Sequence, residues 1–175
     1  NPPARLDADQ EYTLMTYNLG FGAYSDDYSF FMDTGKMKDG KATRGKHGRA
    51  LSKEAVIANT QGSLALIQQS SPDFIFLQEV DVKSSRSYGV DQAAILRSAF
   101  SGYGSVFALN FHSPYLIVPP QEPHGSVQSG LLTLSNWHVD ENVRRQFPVD
   151  GSFITKFTDL DRCFLISRLG LDNGK

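Results

Sequence analysis

Two polar residues at the ends of apolar segments are the first candidates for chemistry. In Pro72-Asp73-Phe74-Ile75-Phe76-Leu77-Gln78-Glu79-Val80-Asp81, an apolar run closes on a carboxylate, Glu79. Such a run reads as a strand covered on both faces, and open α/β sheets bind their ligands outside the C-terminal ends of their strands. A carboxylate there can hold Mg²⁺, which takes oxygen ligands and keeps several waters for phosphate chemistry. The competing reading is a surface acid just past a strand, because isolated Asp and Glu are mostly exposed. The second candidate is Asn18 in Thr16-Tyr17-Asn18-Leu19-Gly20, where an amide precedes glycines that let the backbone turn. It could orient Glu79 or a metal-bound water, or bond its own backbone in a turn, which is the commoner use of asparagine beside glycine.

These residues need elements to hold them. Residues 11–18 read as a strand that ends at the Gly20-Phe21-Gly22 turn. Residues 20–51 read as a loop, long enough to be a functional flap. Over residues 33–53, Lys36, Lys38, Lys41, Arg44, Lys46, Arg49 and Lys53 stand against Asp33 and Asp39, so this part of the flap is locally basic and could draw in a phosphodiester, or it is a solvated loop. Ser52 caps a helix over residues 53–70, with Val56, Thr60, Leu64 and Ile67 on one face and Pro72 marking its end. Arg49 and Ser52 at the start of that helix are candidate phosphate contacts, because free N–H groups at a helix N-terminus attract anions.

A second helix is expected over residues 91–100, then a strand over 106–110 and a proline-rich loop over 112–128. His112 and His124 flank that loop with Tyr115 and Glu122 and are candidate substrate contacts, although a loop histidine is more often a solvated side chain. Residues 130–135, 137–147 and 162–171 read as strands joined by short turns. Asn173-Gly174 then signals a hairpin whose return strand is missing, so the domain is expected to be incomplete at its C-terminus.

Composition bounds the function. With 175 residues and 40% hydrophobic content, the chain can bury one core, and a single domain is expected over residues 11–175 after a polar linker over 1–10. That linker begins with Asn1 rather than methionine, which suits a leader, anchor or tag removed upstream. An exported or membrane-proximal placement is therefore open, and the compartment is unassigned. One cysteine, Cys163, excludes a disulfide framework or a cysteine zinc site. No segment reaches the roughly 18 apolar residues of a membrane helix. A net charge of −2 carries no global signature of nucleic-acid binding, so any anion site must be local.

Taken in order, the T-Y-N-L-G strand end, the P-D-F-I-F-L-Q-E-V-D strand and the S-G-L-L-T-L-S strand at Ser129 to Ser135 resemble the endonuclease/exonuclease/phosphatase superfamily. The resemblance implies a two-sheet α/β sandwich of the deoxyribonuclease I-like type and a divalent-metal-dependent phosphoesterase using Mg²⁺ or Mn²⁺. Its substrate would be a phosphate ester: nucleic acid, a phospholipid head group or an inositol phosphate. It matches Glu79 to the family's metal-binding glutamate and Asn18 to its active-site asparagine, both placed at the metal. Arg162, in Asp161-Arg162-Cys163, resembles an arginine that approaches phosphate, or it pairs with Asp159 or Asp161. The family's later N-T-H, G-D-x-N and S-D-H segments do not occur here. The alternative expectation is thus a non-catalytic half-domain that keeps the fold and needs the missing C-terminal half as its partner.

Overall fold

The structure is a computed structural model that describes residues 4–148 and 162–173. Its elements run β1 (Leu14–Asn18), β2 (Thr34–Lys36), β3 (Ala42–Arg44), α1 (Lys53–Ser70), β4 (Phe74–Asp81), α2 (Gln92–Ala99), β5 (Gly104–Leu116), β6 (Gly125–Ser135), β7 (Glu141–Gln146) and β8 (Cys163–Arg168). The central sheet has the order β1-β4-β6-β5, with β1 parallel to β4 and the other neighbours antiparallel. β2 pairs with β3, and β7 with β8, as separate antiparallel ribbons.

α1 starts where expected: the Ser52 hydroxyl accepts the Ala55 N–H at 3.1 Å. It stops at Ser71, which takes a left-handed conformation (φ 43°) immediately before Pro72. Asp91 caps α2 in the same way, accepting the Ala94 N–H at 2.8 Å. Both helices pack on one face of the sheet, where Ile67, Leu96, Ile75, Leu77, Leu132 and Leu134 are wholly buried. Strand alternation sends Phe74, Phe76 and Gln78 to the other face, where they are only half-buried. There Phe74 and Phe76 share a cleft of about 330 Å³ with Val139, Leu165, Ile166 and Leu169.

Three expectations need correction. Residues 20–51 are not a structureless loop: Phe21, Ala23, Tyr28 and Ala50 form a second small core with Val56 and Val90, and β2–β3 projects from it as a hairpin. The proline-rich loop over 112–128 shrinks to residues 117–124, because β5 and β6 continue through it as a long hairpin. Pro114 is tolerated inside β5 because that strand is a sheet edge and its ladder shifts register between Ser113 and Leu116, so no donor is lost from a continuous ladder. The strand over 137–147 is shorter, running only from Glu141 to Gln146.

In the polar N-terminal linker, Arg5 pairs with Asp140 at 2.7 Å, and Leu6 forms a bridge with Leu171. The Asn173-Gly174 hairpin lies in part outside the described residues, as do Asp159 and Asp161. No helix among the described residues is long and apolar enough to cross a membrane.

Candidate active site

Glu79 owes its position to a β-bulge. Against β6, Leu77 pairs with Leu132 but Val80 pairs with Gly130, so β4 spends one residue more than its partner. A bulge bends the strand and re-aims the side chain at it. Here Glu79 takes φ 53°, a left-handed conformation that costs a residue with a Cβ. Gly130 is required opposite, because a Cβ there would strike the Ala108 carbonyl and the Phe107 ring.

β1 lies parallel to β4 with Asn18 beside Gln78. Asn18 Nδ2 donates to Glu79 Oε1 at 3.0 Å, and its Oδ1 accepts the Gly20 N–H at 2.8 Å. Gly20 itself has φ +50° and faces the Tyr24 ring so closely that any side chain would collide with it. The structure thus brings Asn18 and Glu79 together, with the Asn18 NH₂ aimed at the carboxylate and its Oδ1 accepting the turn N–H.

Two residues further on, Asp81 is fully buried and committed elsewhere. It accepts from Arg86 Nε at 3.1 Å, Arg86 Nη2 at 2.9 Å and Ser87 Oγ at 2.8 Å. Its backbone N–H donates to Gln92 Oε1, whose amide in turn donates to Thr60 Oγ1 at 2.8 Å, tying the strand end to both helices. Arg86 lies 4.1 Å from the centre of the Phe21 ring. Sequence reasoning missed Arg86, which sits in a serine-rich turn; an acid closing an apolar run with an arginine five residues on was the available signal.

Glu79 and Tyr24 separate two adjoining cavities. One is a polar cleft of about 500 Å³ lined by Asn18, Gly20, Asn59 and Ser63. The other, of about 550 Å³, is walled by aromatic side chains and also reached by Arg86, His124, Ser129 and Arg162. Burial, then the Asp33 and Glu79 carboxylates, raises the Tyr24 pKa, so its hydroxyl stays protonated. Burial and the Arg86 charge push His124 down to about 4, leaving a neutral imidazole. His124, expected to be a loop histidine, is thus buried among Phe21, Phe30 and Phe31.

The other candidates scatter. Arg162 joins Glu79 at the aromatic cavity, with its guanidinium 5.8 Å from the Phe111 ring centre. Arg49 instead clamps the loop between β5 and β6, donating from Nε to the Pro123 carbonyl, while Glu122 accepts the Gly48 N–H at 2.6 Å. Ser52 is spent on capping α1. His112 is exposed on β5 opposite Gln128 and lines neither cavity. The basic residues of the β2–β3 hairpin are exposed, and Lys41 pairs with Asp39 at 3.2 Å.

Among the described residues, no three carboxylate, imidazole or thiolate groups gather at one point. One oriented carboxylate, half-buried at the edge of a polar cleft, fits Mg²⁺ or Mn²⁺, which accept one or two carboxylates with waters and substrate phosphate completing the shell. It does not fit a closed zinc cage.

The profile of the endonuclease/exonuclease/phosphatase family matches residues 15–170. The chain belongs to this family. The matched span includes Asn18, Glu79, Arg86 and Arg162, and the family's deoxyribonuclease I-like α/β architecture is the one described above. Among solved structures, an endonuclease/exonuclease/phosphatase from Beutenbergia cavernae DSM 12333 is similar at 17% identity and a TM-score of 0.45, over 78% of this chain and 29% of that one. The chain thus spans less than a third of the length of that family member. No curated protein matches the chain.

Proposed function

We propose that this chain carries the metal-holding part of a divalent-metal-dependent phosphoesterase centre. The observation that supports this most is the Asn18–Glu79 pair: a carboxylate set on a strained bulge, held by an amide at 3.0 Å, beside an open polar cleft. Strain kept at a strand end needs a reason, and functional sites are where it gathers. Mg²⁺ or Mn²⁺ bound at Glu79 would supply charge stabilisation on the phosphoryl oxygens. Asn18 keeps the carboxylate aimed, the protonated Tyr24 hydroxyl offers a hydrogen bond beside it, and Arg162 brings a cation to the other side of Glu79. Rigid placement of this kind is worth most when donors and charges need not reorganise during the reaction.

The test is Mn²⁺ binding by titration calorimetry, which needs no turnover. Glu79→Gln removes saturable binding, and Asn18→Ala weakens it by about 10–100-fold, as expected for a group that orients a ligand. Glu79→Gln is also expected to abolish metal-dependent hydrolysis of a phosphodiester. Wild-type Mn²⁺ affinity in the Glu79→Gln chain would sink the proposal.

A further inference from the structure

Two hairpins adjoin at the aromatic cavity, and both leave apolar side chains in water. Met32, just before β2, lines the cavity together with Leu116 and Val118 from the end of β5. Backbone bonds tie the roots of the two hairpins together: the Phe31 N–H donates to the His47 carbonyl at 3.0 Å, and the Gly48 N–H donates to the Glu122 carboxylate at 2.6 Å. On these hairpins Met32, Met37, Tyr115 and Ile117 are each at least 59% exposed, and Val118 is exposed beside them. A lone exposed apolar side chain is ordinary, but five on two adjoining hairpins make a surface suited to a partner.

The same region is basic. Lys36, Lys38, Lys41, Arg44 and Lys46 stand against Asp33 at the root of the β2–β3 hairpin and Asp39 at its turn, a surplus of three positive charges on a chain whose net charge is −2. All five cations are exposed, and among the described residues only Lys41 of the five pairs with a carboxylate, Asp39 at 3.2 Å. Lys36 and Lys38 flank Met37 directly, so charge and apolar surface alternate at the hairpin end.

Three kinds of partner meet this surface differently. A nucleic acid would satisfy the cations but leave the methionines, Ile117 and Val118 without a counterpart, since single strands are held on aromatic platforms. An acidic protein would need a continuous complementary face, which two projecting hairpin ends do not offer. An anionic bilayer accepts both features: apolar tips enter the boundary between head groups and acyl chains, while lysines lay their stems along it and reach the phosphates.

We propose that the β2–β3 hairpin and the neighbouring end of the β5–β6 hairpin form a docking surface for an anionic lipid bilayer, with Met32, Met37, Ile117 and Val118 entering the interface and the lysines meeting the head groups. The proposal names a surface that the protein sits on and does not depend on metal at Glu79.

Co-sedimentation of the full chain with vesicles in EDTA tests this, because no divalent ion can then bridge protein and lipid. Binding to mixed phosphatidylcholine and phosphatidylserine vesicles is expected to be about tenfold tighter, or more, than binding to phosphatidylcholine alone, and to weaken as salt rises. Replacing both Lys36→Gln and Lys38→Gln is expected to weaken it about 20-fold, the product of about fivefold for each charge. Met37→Ser and Ile117→Ser change no charge and are each expected to weaken it about 3- to 10-fold. Leu66→Ser, at an exposed position of α1 outside both hairpins, is expected to leave binding unchanged. No preference for phosphatidylserine vesicles overturns the proposal, and this wild-type comparison holds even if a variant fails to fold. Folded serine variants at Met37 and Ile117 that bind like wild type overturn it too. So does a single-stranded oligonucleotide that binds more tightly than the vesicles and displaces the chain from them, which would assign the cations to nucleic acid. Glu79→Gln is expected to bind vesicles like wild type whatever becomes of its Mn²⁺ affinity, so failure of the metal reading and failure of the docking surface are read separately.

Discussion

Glu79 and Asp81 sit two residues apart at the end of β4, and the fold treats the two carboxylates in opposite ways. Asp81 is fully buried, and both its oxygens are saturated by Arg86 and Ser87. Glu79 is half-buried, touches one amide, and pays for its place with a left-handed backbone. A buried ion pair with several hydrogen bonds offsets its desolvation internally and has nothing left for a ligand. A carboxylate on a bulge at a cavity edge has capacity to spare. The difference shows that an acid's availability for chemistry follows from its backbone setting and neighbours.

The largest effect that tests this contrast is on stability. Asp81→Asn keeps the shape but leaves Arg86 as a buried cation without its counter-charge, which is expected to cost about 3–5 kcal/mol. Glu79→Gln is expected to stay within about 1 kcal/mol of wild type, since no buried charge loses its partner. Urea unfolding of both variants measures this. Equal losses would erase the distinction between a structural and an available carboxylate.

The next effect concerns pH on the Asp81 and Arg86 side. His124 has a folded pKa of about 4 against an ordinary 6.5, so between these values the unfolded chain binds more protons than the folded one. The folded state is therefore favoured fully above pH 6.5, and this contribution is lost as pH falls through the window toward 4. The loss is on the order of 3 kcal/mol. His124→Phe is expected to flatten that part of the stability profile. An unchanged slope in the variant would mean that His124 is not held neutral by its aromatic surroundings.

The sequence carried much of this fold because its local signals agreed with its packing. Ser52 and Pro72 bound α1, Asp91 caps α2, and the apolar alternation of β4 sets Ile75 and Leu77 against the helices. The long β5–β6 hairpin was hidden because Pro114 and Pro119 read as loop residues, and only the edge position of β5 makes Pro114 admissible. Glu79 and Asn18 could be paired from their strand ends, but the bulge could not be read, since it exists only against Gly130 on a strand fifty residues away. Ser129 and the burial of His124 were illegible for the same reason: each depends on aromatic residues of the 20–51 segment or of β5 folding over it. Arg49 and Ser52 have the right residue types for an anion site, but the clamp and the cap already use them.

The smallest expected effect bears most directly on Glu79. At an ordinary strand position, alanine is more stable than glycine by about 0.5–1 kcal/mol, because glycine loses more conformational freedom on folding. At a left-handed position the order reverses, since alanine must bear the Cβ clash that glycine avoids. Glu79→Ala and Glu79→Gly both delete the carboxylate and its contact with Asn18, so their difference isolates the backbone. Glycine is expected to be the more stable of the two by about 1 kcal/mol. The same pair of substitutions at Gln78, whose φ is not positive, should favour alanine. If alanine wins at both positions, Glu79 is not strained in solution, and the bulge loses its standing as a feature kept for function. If the order inverts only at Glu79, the fold is giving up stability there to aim this side chain, which its neighbour Asp81 never requires.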